Sequence, residues 1–218
     1  MKVAVVKNIL HANDRIAEEN RRLFKQHKLF VINLMSSPGA GKTTLLEEMG
    51  KALAGRISIG VIEGDIQSSI DAERVAATGI AAVQIETDGA CHLDANMIRS
   101  SLASLDLDTL DLVVVENVGN LVCPAEFDVG EDCKVMLLSV TEGDDKPLKY
   151  PLMFKESRVL LISKIDLLPH LRCDVAKIRA AALAINPDLA IIELSSYTGQ
   201  GLDVWHDWLL KEIEAAAS

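Results

Sequence analysis

"LFVINLMSSPGAGKTTLLEEMGKALA", residues 29–54, reads as a complete strand–loop–helix unit. "LFVINLM" (29–35) is a short, nearly unbroken apolar run, the pattern of a parallel strand buried on both faces. "KTTLLEEMGKALA" (42–54) carries apolar residues at helical spacing. Between them, "SSPGAGKTT" places Gly39 and Gly41 where backbone must approach a ligand without the obstruction of a Cβ. Backbone N–H groups of such a loop converge on an anion, and the N-terminus of the following helix adds to the attraction. Lys42 would neutralise β- and γ-phosphate charge, and the Thr43 hydroxyl would ligate Mg²⁺. Ser37, Pro38, Gly39, Ala40, Gly41, Lys42, Thr43 and Thr44 are therefore the candidate phosphate-binding residues. Ser36 stands where the usual pattern has its first glycine. An ordinary glycine turn is the bland alternative, but it explains neither the strand before the loop nor the G-K-T-T that opens the helix.

Outward from this unit the alternation continues. Strands are predicted at 57–63, 81–86, 110–116, 133–140, 158–163 and 189–194. Helices are predicted near 68–78, 93–104, 174–185 and 202–216. Short apolar strands alternating with helices imply an α/β fold: a mostly parallel sheet of about seven strands, covered by helices on both faces. Ahead of it, residues 8–27 read as a charged amphipathic helix with Ile9, Ile16, Leu23 and Phe24 near one face. The expected organisation is an N-terminal helical extension over 1–28 and a P-loop domain over 29–218. A ligand should sit at the carboxyl ends of the strands.

The 218 residues are 49% hydrophobic but only 4% aromatic, so the core must be aliphatic. A net charge of −10 argues against nonspecific nucleic-acid binding, which needs a basic footprint. No apolar run reaches the length that spans a bilayer. The start "MKVAVVKNILHAND" turns polar too soon for a signal peptide, so a cytoplasmic chain is expected. Four cysteines stand far apart: Cys133 opens an apolar run and reads as core, Cys173 has no evident partner, and Cys91 and Cys123 fall in loops.

The later loops carry further chemistry. In "SKID", Ser163 to Asp166, the Asp166 carboxylate can accept from both N1–H and the 2-amino group of guanine, whereas adenine offers neither donor. Lys164 could lay its stem on the base. Ser163 replaces the asparagine of the usual N-K-x-D pattern. "SSYTGQG" (195–201) brings Ser195 and Ser196 to the same side as a backbone loop for the guanine carbonyl. A surface S-K-x-D turn is the bland reading. In "EGDIQSSIDAER" (63–74), Asp65 is placed just past a strand end, where it can hold Mg²⁺ or orient water. Asp71 is a second candidate for that role. Glu116 and Gly119, E-x-x-G, would reach Mg²⁺ through water and contact the γ-phosphate through the Gly119 N–H. No glutamine is obviously placed to orient water, and Arg74 reads better as a solvated helix arginine than as an arginine finger. Slow intrinsic hydrolysis is expected. "GACHLDANMI" supplies Cys91 and His92 after the third strand, and Cys123 follows the fourth. Two thiolates and an imidazole suit Zn²⁺ or Ni²⁺; both cysteines as buried core thiols is the competing reading.

Together "SSPGAGKTTLLE", "EGDIQSSIDAERV", "CHLDA", "ENVGNLVCPAEFDVGE" and "SKIDLLPHL" resemble the hydrogenase nickel-incorporation GTPases of the HypB type, over nearly the whole chain. The resemblance implies the signal-recognition/MinD-like (SIMIBI) P-loop class, GTP and Mg²⁺ as ligands, and a homodimer that forms with nucleotide. It also implies Ni²⁺ or Zn²⁺ at Cys91, His92 and Cys123. The implied partners are the hydrogenase large subunit and nickel-insertion accessory proteins, with no nucleic acid and no membrane. This sequence shows neither the N-terminal cysteine motif nor the histidine-rich tract of many relatives, and Asn96 stands where some place a second histidine. A urease-type nickel chaperone reads differently around its Cys-Pro-His site. A MinD-like ATPase wants a lysine where Ser37 stands. A binding module without metal is the third alternative.

Overall fold

The computed structural model describes residues 7–65, 70–87 and 89–217. The side chains of Ile9 and Asp65, both singled out above, lie outside the described residues, as does the 66–69 part of the second loop. Seven strands form one sheet: β1 Phe30–Ser36, β2 Ile59–Asp65, β3 Ala81–Glu86, β4 Leu112–Glu116, β5 Cys133–Ser139, β6 Val159–Ser163 and β7 Ala190–Glu193. Their spatial order is β3-β2-β4-β1-β5-β6-β7, and every pairing is parallel. The longer helices are α1 Lys7–Gln26, α2 Lys42–Leu53, α3 Ile70–Ala76, α4 Ala95–Ser101, then the short α5 Cys123–Glu126, α6 Lys146–Lys149 and α7 Pro151–Glu156. α8 Val175–Ile185 and α9 Leu202–Ala217 complete the chain.

Alternate residues of each strand serve opposite faces, as strand geometry requires. Ile32, Leu34, Leu112 and Val114 pack toward α2 and α9, where Leu45, Leu46 and Trp205 are wholly buried. Val31, Val113 and Val115 face Phe24 of α1 and Ile98 of α4. Met35, Met136 and Leu160 face Phe154 of α7 and Ile178 of α8. Truncating such a residue to alanine typically costs ~2–5 kcal/mol. Cys133 is core, as read, and burial pushes its thiol up to about 12. Among the described residues no helix is long and apolar enough to cross a membrane.

Three local expectations need correction. β2 runs to Asp65, so Asp65 ends the strand instead of lying beyond it. The helix expected over 93–104 starts at Ala95, because Asp94 caps it by accepting from Met97 N (2.8 Å). It tightens into a 3₁₀ turn at Leu102–Ser104. The N-terminal helix buries Phe24 as expected, but the rest of its buried stripe differs from the one expected. Asn13, Ala17, Asn20 and Phe24 are buried, while Ile16 and Leu23 flank them half-buried. Asn20 Nδ2 donates to Ala95 O (2.8 Å) and Val129 O (3.1 Å), Asn13 Nδ2 donates to Asp128 O (2.8 Å), and Asn13 Oδ1 accepts from Ala95 N (2.9 Å). Arg21 adds a two-pronged bond to Asp128, at 2.8 and 2.6 Å. α1 therefore grips the loops after β3 and β4 together.

Candidate nucleotide and metal site

The carboxyl ends of β1, β2 and β4 open onto a cavity of about 460 Å³. The phosphate loop forms one wall, through Pro38, Gly39, Gly41, Lys42, Thr43 and Thr44. Gly39 and Gly41 adopt φ of +73° and +105°, a region open to glycine at little cost. Ala40 N donates to Ser37 O (3.4 Å) to close the turn, and Ser37 itself stays out of the wall. Lys42 Nζ donates to Ser36 Oγ (3.1 Å) and lies 3.9 Å from Glu116 Oε1. Thr43 Oγ1 donates to the same carboxylate oxygen (3.2 Å). Lys42 and Glu116 are nearly buried, so their opposite charges support one another.

Opposite the loop stand Glu63, Glu116 and Gly119. Glu63 was not foreseen. It is the register partner of Glu116 on the neighbouring strand and is 2% exposed, so two carboxylates face the phosphate wall side by side. The signal was present in the sequence: both close an apolar strand. Oxygen donors of this kind suit Mg²⁺. Asp71 also lines the cavity, where its carboxylate accepts from Arg74 Nη1 (2.9 Å). Arg74, read as a solvated helix arginine, also lines the cavity and is tied to Glu47 at 3.0 and 2.9 Å.

A second cavity of about 450 Å³ adjoins the first, sharing Gly41, Thr44 and Lys164. Its walls bring together Ala40, Ser163, Asp166, Ser195 and Ser196, as the guanine reading requires. Ser163 Oγ donates to Ala40 O (2.9 Å), so the serine ties the base loop to the phosphate loop where the usual pattern has asparagine. Lys164 Nζ donates to Gly39 O (2.7 Å), which draws its stem across the pocket. Ser195 Oγ donates to Asp166 Oδ1 (2.5 Å), fixing the carboxylate that would read the base. Tyr197, missed from sequence, stands at the rim almost fully exposed.

The metal reading also gains its geometry. Cys91, His92 and Cys123 each present a ligand atom, all within 4.8 Å of one another. Cys91 Sγ lies 3.1 Å from Cys123 Sγ and 3.6 Å from His92 Nδ1. Metal–ligand bonds of about 2.0–2.3 Å set tetrahedral ligands roughly 3.3–3.8 Å apart, so the widest pair must draw in by about 1 Å to share a single ion. Burial holds the His92 imidazole below its usual value, which favours the neutral, ligating form. Sharing a proton with Cys91 raises the Cys123 thiol. Phe127 lies against the His92 ring, centroids 3.8 Å apart. Two asparagines between Glu116 and Cys123, also unforeseen, reach the same loop. Leu93 N donates to Asn117 Oδ1 (3.0 Å), and Asn120 Nδ2 donates to Cys91 O (3.2 Å).

An all-parallel sheet with a glycine-rich loop at the end of β1 and an S-K-x-D loop at the end of β6 defines a P-loop GTPase fold of the SIMIBI class. The signal recognition particle receptor FtsY from Elizabethkingia anophelis shares that fold, with a TM-score of 0.55, 15% identity and 88% of this chain and 67% of that chain covered. A family model described as "CobW/HypB/UreG, nucleotide-binding domain" matches residues 30–193. The hydrogenase maturation factor HypB of Escherichia coli K12 is 51% identical over 202 residues, covering 93% of this chain and 70% of that protein. The crystal structure of HypB from Helicobacter pylori in complex with nickel matches with a TM-score of 0.90 and 37% identity, over 95% of this chain and 97% of that one. The chain belongs to the HypB family of hydrogenase maturation factors.

Proposed function

We propose that the chain is a GTP-hydrolysing metallochaperone, taking up Ni²⁺ at Cys91, His92 and Cys123 and supporting its GTP-dependent insertion into [NiFe]-hydrogenase. One observation carries the reading. The segment that begins with Glu116, against Thr43 and Lys42, ends at Cys123, against Cys91, so a single stretch of chain joins the phosphate wall to the metal ligands. The nickel complex of the H. pylori relative supports the choice of metal; Zn²⁺ suits the same donors.

The phosphate loop holds the triphosphate, with Lys42 neutralising its β- and γ-oxygens. Thr43 would hold Mg²⁺ directly and Glu116 through water, with Asp65 and Asp71 as the further candidates. That ion would offset charge developing on the phosphates. Asp166 selects guanine, with Lys164, Ser195 and Ser196 shaping the pocket. Water attacks the γ-phosphorus, the bond to the β–γ bridging oxygen breaks, and GDP and phosphate leave. Arg74 lines the same cavity but is held there by Glu47 and Asp71, so the intrinsic rate is slow and suits a timed switch. Loss of the γ-phosphate releases Gly119 and shifts Cys123. The Cys91 side chain is exposed at the surface, where a second copy of the chain, the hydrogenase large subunit or an accessory protein can reach the cargo.

The test is a Ni²⁺ titration with GDP and with a non-hydrolysable GTP analogue, on wild type and Cys123→Ala. Wild type should show metal affinities that differ between the two states by ~5–150-fold, and metal should shift the nucleotide preference by the same factor. Affinity should fall as pH drops, because thiolates must lose protons to bind. Cys123→Ala should lose metal and keep nucleotide. Retained metal binding in that variant would return Cys123 to the core and end the reading.

A further inference from the structure

Cys123 is joined to the phosphate wall through the chain, but Cys91 and His92 belong to a different loop, after β3. Their connection to the nucleotide must run through side chains. Two amides of the 116–123 segment make it, one on each side of His92, and they differ in what holds them.

Asn117 belongs to the sheet. It is 1% exposed, its N–H donates to Leu34 O of β1 (3.0 Å), and its Nδ2 donates to Asn33 Oδ1, also of β1 (3.0 Å). Its Oδ1 accepts from Leu93 N, the residue after His92, and from Val118 N, both at 3.0 Å. The His92 ring is steadied as well by Phe127, which precedes the Asp128 and Val129 carbonyls gripped by α1. The histidine ligand is thus referred to fixed parts of the fold.

Asn120 belongs to the switch. It follows Gly119, which lies so close to the phosphate loop that an added Cβ would meet Pro38 Cα and N at 2.8 Å. Its side chain is a two-handed grip: Nδ2 donates to Cys91 O (3.2 Å) and Oδ1 accepts from Val122 N (2.9 Å). One carboxamide therefore holds the backbone of Cys91 and the backbone next to Cys123. The residue next to Gly119 is thereby linked to the backbone at both cysteines.

Resting on the coupling reading above, we propose that Asn120 is a positioning residue that moves Cys91 and Cys123 as a pair relative to His92, which Asn117 anchors to β1. Nucleotide state then changes metal affinity by altering the fit between a mobile dithiol and a fixed imidazole. The consequence is specific. Nucleotide dependence needs both the Asn120 grip and the His92 ligand, whereas metal binding itself needs only the cysteines and tolerates the loss of either.

The experiment compares wild type, Asn120→Ala and His92→Ala in Ni²⁺ titrations with GDP and with a non-hydrolysable GTP analogue. The near-ultraviolet thiolate-to-nickel absorption reports whether the dithiol still binds. Asn120 lines neither nucleotide cavity and is only half-buried, so Asn120→Ala should fold and bind GDP like wild type. Its absorption band should persist while the affinity ratio between nucleotide states falls to within about twofold of one, from the ~5–150-fold expected of a coupled pair of sites. His92→Ala should bind metal more weakly in both states and lose the ratio too. An undiminished ratio in Asn120→Ala, or in His92→Ala, overturns the proposal. Loss of the band in Asn120→Ala also overturns it, because the amide would then be a structural support of the dithiol. A wild-type ratio of one would remove the coupling reading itself, and this proposal with it.

Discussion

Gly119→Ala probes the contact from which switching is inferred. A Cβ at this position would lie 2.8 Å from Pro38 Cα and N and 3.0 Å from Pro38 Cγ. Ordinary contact begins at 3.4 Å, and two of the opposing atoms are backbone, which cannot rotate away. The switch and the phosphate loop must therefore separate by roughly 0.6 Å or more. A Gly119 N–H placed to meet a γ-phosphate oxygen at about 2.9 Å would then lie beyond good hydrogen-bonding distance. Losing one charge-assisted hydrogen bond costs ~1.5–3 kcal/mol, or roughly 10–150-fold in affinity. GDP has no γ-phosphate, so its affinity should change by no more than a few-fold. Displacement of a fluorescent nucleotide by GDP and by a non-hydrolysable GTP analogue measures both, with thermal unfolding as a control for general damage. Equal weakening of the two ligands, or an unchanged preference between them, would refute the placement of Gly119 at the γ-phosphate.

Two other perturbations test the base pocket and the packing under the metal loops. Asp166→Asn should move preference from GTP toward XTP by at least about a hundredfold in competition binding, because xanthine offers a carbonyl where guanine offers its 2-amino donor; unchanged GTP preference in the folded variant would remove Asp166 from base reading. Burial raises the Glu131 carboxyl to about 7, with Lys134 pulling the other way at 3.8 Å. The folded state therefore holds this proton more tightly than the unfolded chain. The stability it contributes is present below about pH 4.5 and lost as pH rises to about 7. At roughly 1.4 kcal/mol per pKa unit, Glu131→Gln should gain at most on the order of 3 kcal/mol more, relative to wild type, at pH 8 than at pH 5. Denaturant unfolding at the two pH values decides it, and a gain that is equal at both, or larger at pH 5, would contradict the raised carboxyl.

Much of the molecule was legible in the chain because its signals are local. A parallel strand buried on both faces is a short aliphatic run, and a phosphate loop is a glycine pattern between strand and helix. "LFVINLM" and "SSPGAGKTT" therefore located β1 and the phosphate wall. The order of the later loops put Glu116, Asp166 and the candidate metal ligands at the same end of the sheet. Even Cys91 and Cys123 could be expected to approach, since strand ends on one side of a parallel sheet share a surface.

What hydropathy cannot see is a polar side chain whose partner lies far away in sequence. Asn13 and Asn20 interrupt an apolar stripe, so the periodicity pointed to Ile16 and Leu23. The fold buries the asparagines instead, because the carbonyls of Ala95, Asp128 and Val129 stand ready to accept from them. Ser163 looked like a weakened asparagine until the phosphate loop brought Ala40 O within reach. Asn120 carried no signal at all. Its meaning lies in a carbonyl 29 positions away, brought near because the loop after β3 and the loop after β4 meet above one sheet. The sequence by itself determined the sheet, the nucleotide loops and the candidate metal ligands. Only the tertiary structure decided which side chains hold those ligands, because a hydrogen bond depends on distance and direction in space and leaves no periodic trace in the chain.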